Sequence, residues 1–183
     1  MVKVNAPRFE VTECNTVVER EFIELLHARS GVDGWCPCLL WTNDDRVVMG
    51  VDIADGERNL ILRSLRIEFT GDAVTFGEDE TYQFVTDLRP NTPGTHVLSN
   101  CSVPEMANTV ADWLLRETRR AILYQEWSRV YQGSEYVFAD EPHNKIVCSG
   151  FTSRTQPPDR VTRVKLDLGE PCVTLGPSDE SPR

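Results

Sequence analysis

The apolar positions of the chain fall into two helical stripes and a series of alternating runs. Val18, Phe22, Leu25 and Leu26 recur at the three- and four-residue spacing of one helix face. Thr16 and Glu19 stand three apart at its start, the spacing of a capping box, and Gly31 is a natural stop. This spacing predicts a helix over residues 16–30. Gly34–Cys38 reads as a turn, and beyond it the period shortens to two. Leu39–Thr42 and Arg46–Ala54 are strand candidates joined by Asn43-Asp44-Asp45, and Asp55-Gly56 is a strong hairpin signal.

The following run, Asn59–Thr70, changes phase. Leu60 and Leu62 alternate first, then Leu65, Ile67 and Phe69, so one extra residue near Arg63 or Ser64 implies a bulge. Gly71-Asp72 turns the chain into Ala73–Phe76 and should set Phe69 beside Val74. Tyr82–Thr86 and His96–Ser99 are further strand candidates around Pro90-Asn91-Thr92-Pro93-Gly94.

A second helix starts at the capping-box pair Ser102 and Glu105, with Pro104 in its first turn and Ala107, Val110, Trp113 and Leu114 on one face. Arg116, Arg119 and Arg120 suit the negative end of its dipole. Ile122–Tyr131, Tyr136–Ala139 and Lys145–Ser149 then read as a three-strand meander. Five of the eleven prolines lie in the last 33 residues, where Val161–Leu168 is an edge-strand candidate ahead of a frayed end. The pattern predicts an α+β protein: a twisted antiparallel sheet with two amphipathic helices packed on one face. Residues 1–150 form the expected domain and 151–183 a proline-rich extension.

Charge narrows the functional classes. The chain of 183 residues carries 29 acidic and 19 basic side chains, a formal charge of −10. Residues 31–100 hold twelve of those acids and five of the bases, and so supply most of the excess. Such a surface repels phosphate backbones, which excludes general nucleic-acid binding, and it steers basic proteins toward itself. No apolar run approaches the ~18 residues of a membrane span, and Met1–Glu10 is too polar for a signal peptide. A cytoplasmic location is expected. Six dispersed cysteines then point to reduced thiols and not to a disulfide scaffold.

Candidate chemistry is sparse. Trp35-Cys36-Pro37-Cys38 offers two thiolates, and with His96 and Cys101 it could complete a four-ligand zinc site, although the stronger paired C-x-x-C form is missing. The opposing reading is buried or incidental thiols. Asp52 and Asp55, with Asp44 and Asp45 nearby, invite a carboxylate site, but alternation sends Asp52 and Asp55 to opposite faces and the turn already accounts for Asp55. No nucleophile elbow or glycine-rich phosphate loop occurs.

The surface expected to meet a partner combines Asp72, Glu78, Asp79, Glu80 and Asp87 with the meander aromatics Tyr124, Trp127 and Tyr131. Two rival readings remain: a small apolar-ligand-binding protein or enzyme with a pocket between sheet and helices, and a metal protein built on the C-x-C pair. A homodimer through open sheet edges is also compatible with the pattern. The element order in an acidic chain is similar to that of small secretion chaperones and of proteins that neutralise bacterial toxins, over about 150 residues. That resemblance implies a non-enzymatic protein that binds, chaperones or neutralises a basic protein.

Overall fold

The computed structural model describes residues 14–33, 38–42, 46–79, 88–128, 132–150, 152 and 156–168, with residues 31–33 and 38–42 described by backbone alone. Among the described residues two helices, α1 (Val17–Asp33) and α2 (Val103–Thr118), accompany ten strands. These are β1 (Cys38–Thr42), β2 (Val47–Asp55), β3 (Leu60–Phe69), β4 (Ala73–Asp79), β5 (His96–Ser99), β6 (Ile122–Trp127), β7 (Gly133–Phe138), β8 (Lys145–Gly150), β9 (Arg160–Arg163) and β10 (Leu166–Asp167). The fold is α+β and every described strand pairing is antiparallel.

The strands divide into two sheets where one was expected. The larger runs β1-β2-β3-β4-β5, with β10 also on β2, and the smaller runs β8-β7-β6-β9. Residues 160–167 contribute a strand to each. Instead of one edge strand they form two, β9 on β6 of the smaller sheet and β10 on β2 of the larger. Between them Val164 is buried and its amide donates to the Ile122 carbonyl at 2.9 Å. Among the described residues beyond 150, Arg160–Arg163 and Leu166–Asp167 therefore belong one to each sheet.

Local chemistry explains the elements. At the start of α1 the Glu19 carboxylate accepts from the Asn15 and Thr16 amides at 2.8 and 3.0 Å, while Thr16 Oγ1 accepts from the Glu19 amide at 3.1 Å. This reciprocal box satisfies donors that the first turn would otherwise leave unpaired. The helix runs past Gly31 to Asp33, since one glycine lowers helix propensity without ending the helix. In β3, Ile53 pairs with Arg63 but Ala54 pairs with Ile61, so Leu62 is the extra residue of the bulge. Phe69 lies opposite Val74, as the Gly71-Asp72 turn requires.

The core forms on one face of the larger sheet. Val47, Met49, Val51, Leu65, Ile67, Phe69, Val74 and Phe76 share that face by register and are buried. Phe22 of α1 stacks on Phe69 with ring centroids 4.1 Å apart, and Trp113 of α2 meets Phe76 at 5.1 Å. Burial of these large apolar side chains supplies the main driving force, at roughly 1.5–3 kcal/mol each.

Candidate functional site

The ionisable side chains around the β2–β4 meander form a dense polar arrangement. Arg63 and Arg66 stand three apart on β3, so pleating sends them to opposite faces. Glu78 and Asp79 are neighbours on β4 and also diverge, lying opposite Leu65 and Ser64. Each arginine therefore has an acid on its own side of the sheet.

On the helix side, Arg63 donates to both Glu78 carboxylate oxygens at 3.1 and 2.9 Å and to Glu117 Oε2 of α2 at 3.0 Å. Its guanidinium also lies 4.7 Å from the centre of the Phe138 ring, and Arg120 lies 3.6 Å from that ring. Arg63 is only 3% exposed, so this bidentate, stacked arrangement matters more than an ordinary surface pair. On the other side, Arg66 is 1% exposed and pairs with Glu68 at 2.7 Å and Asp79 at 3.5 Å. Arg46 also reaches Glu68, at 3.2 Å, and the Leu88 amide donates to the same carboxylate at 3.0 Å.

A separate polar knot joins the two sheets. Asp55 is fully buried at the end of β2. It accepts from the Glu57 and Arg58 amides, from Arg58 Nη1 at 2.8 Å and from the Tyr136 hydroxyl of β7 at 3.0 Å. Burial opposes the Asp55 charge, but the Arg58 guanidinium, the two amides and the Tyr136 hydroxyl outweigh it and hold the pKa below the usual carboxylate value. Burial, reinforced by the Asp55 charge, pushes the Tyr136 phenol up to about 12. Arg58 completes the knot by covering the Tyr124 ring at 4.0 Å.

The residues expected to meet a partner lie in differing surroundings. Asp72 is exposed in the β3–β4 turn and accepts from Thr70 Oγ1 at 3.0 Å. Glu78 is half-exposed but bound to Arg63, and Asp79 is buried beside Arg66. Trp127 is 4% exposed and donates its indole N–H to the Gln156 carbonyl at 3.1 Å. Tyr124 is half-buried between Arg58 and the Tyr136 ring. These aromatics are structural contacts of the smaller sheet, while Glu80, Asp87 and Tyr131 lie outside the described residues.

Of the proposed zinc ligands, Cys36 lies outside the described residues and Cys38 is described by backbone alone. His96 is exposed, its ring 5.1 Å from Phe76, and Cys101 is a half-buried free thiol packed against the core. Among the described residues no group of three or more His, Cys, Asp or Glu is arranged to hold a metal ion. Asp52 and Asp55 do separate, the first exposed beside the Ser64 hydroxyl at 2.6 Å and the second buried in the knot.

Sequence reading missed Arg46, Arg58, Arg63 and Arg66. The signal was present for Arg63, which falls in phase with Leu65, Ile67 and Phe69 and so had to enter the core face. These four are the only basic residues between positions 46 and 79, and all four are drawn onto Asp55, Glu68, Glu78 and Asp79. The other acids of that span, Asp52, Glu57 and Asp72, are exposed. No helix among the described residues is long and apolar enough to cross a membrane. Comparison with known protein families, characterised proteins and solved structures found no match.

Proposed function

We propose that this chain is a non-enzymatic acidic protein that binds a basic protein partner through the outward acids of the β2–β4 meander. One observation carries the reading. Every arginine of residues 46–79 is occupied by an acid of the same span, so Asp52, Glu57 and Asp72 face solvent without a cation from that span beside them. An outward field of one sign accelerates encounter with an oppositely charged protein and disfavours partners of like charge. The proposed surface rests on these three outward acids, while Asp79, Tyr124 and Trp127 are engaged within the fold.

The test is capture from a lysate of the source organism on immobilised protein, comparing wild type with the triple variant Asp52→Lys, Glu57→Lys, Asp72→Lys. Wild type should retain a basic protein at low salt and release it as screening shortens the Debye length from ~10 Å at 0.1 M toward ~3 Å at 1 M. The triple variant should not retain it. Retention of the same proteins by both, with the same salt dependence, would overturn the reading.

A further inference from the structure

We draw no further inference here: the strongest candidate, the cluster of half-buried Arg46 with buried Arg66, Glu68 and Asp79 on the larger sheet's face opposite the core, has its charges matched by one another, and no second observation points to a ligand there.

Discussion

Replacing Tyr136 by phenylalanine isolates the knot between the sheets. The ring is 4% exposed and its hydroxyl donates at 3.0 Å to a fully buried carboxylate, so the substitution removes one hydrogen bond and leaves the packing in place. A hydrogen bond to a charged group contributes about 1.5–3 kcal/mol. Two facts select the lower part of that range. Asp55 keeps three other donors, from Glu57 and Arg58, so no acceptor is orphaned. The rise of the phenol from 10.0 to about 12 is driven first by burial, so the hydrogen bond accounts for only part of it.

We expect Tyr136→Phe to lose about 1.5–2 kcal/mol in urea unfolding at neutral pH, followed by tryptophan fluorescence. The alkaline limb supplies an independent readout. Because the phenol holds its proton more tightly when folded, its contribution is full below the ordinary value of 10.0 and fades as pH rises toward about 12. The gap between wild type and variant should therefore narrow in that window. In a near-ultraviolet titration of folded protein, the late tyrosinate step should vanish in the variant. A stability loss below about 0.5 kcal/mol, or a late step that survives in Tyr136→Phe, would refute the reasoning.

Three further perturbations probe the same architecture. Asp55→Asn places an amide N–H₂ toward Arg58 and Tyr136 and should cost about 2–3 kcal/mol in urea unfolding. Because the native Asp55 pKa is depressed, its stabilisation is full above the ordinary carboxylate value and lost as pH falls below it, so the acid limb of the variant should be shallower than wild type. Arg63→Met leaves the largely buried Glu117 carboxylate short of its nearest cation, and a loss of about 3 kcal/mol should be partly rescued by adding Glu117→Gln, while Arg63→Lys should not restore wild-type stability. Gly150→Ala should be far worse than Gly71→Ala: both have positive φ, but a Cβ at 150 would stand 2.2 Å from the Gln132 carbonyl oxygen whereas one at 71 meets open space. Comparable melting temperatures for the two alanine variants would contradict that steric account.

What the sequence made legible was local. Capping pairs named both helix starts, because the donors they satisfy lie within four residues. The phase change in β3 revealed the bulge to within a residue, since strict period-two alternation would send the buried Leu62 and Leu65 to opposite faces. The Gly71-Asp72 hairpin even set the register from which Arg63 and Glu78 could have been matched. Two things stayed hidden. The placement of Arg160–Asp167 on both sheets depends on partners more than thirty residues away, and no periodicity encodes that choice. The fate of each acid was equally obscure, because alternation tells which face a side chain takes but not whether a cation waits there, as Asp72 and Asp79 demonstrate.

The double role of residues 160–167 sets a timetable for synthesis. A chain emerging from the ribosome can close β2, β3 and β4 by short hairpins, yet the β10 side of Asp55 stays open until Leu166 and Asp167, over a hundred residues later, are made. Tyr136 also arrives late, so the Asp55 carboxylate begins as a turn acceptor with solvent nearby and becomes a sealed junction only afterwards. A nascent chain stalled before residue 160 lacks both the β9 partner of β6 and the β10 partner of β2, and so presents unfinished strand edges to the cell's folding machinery.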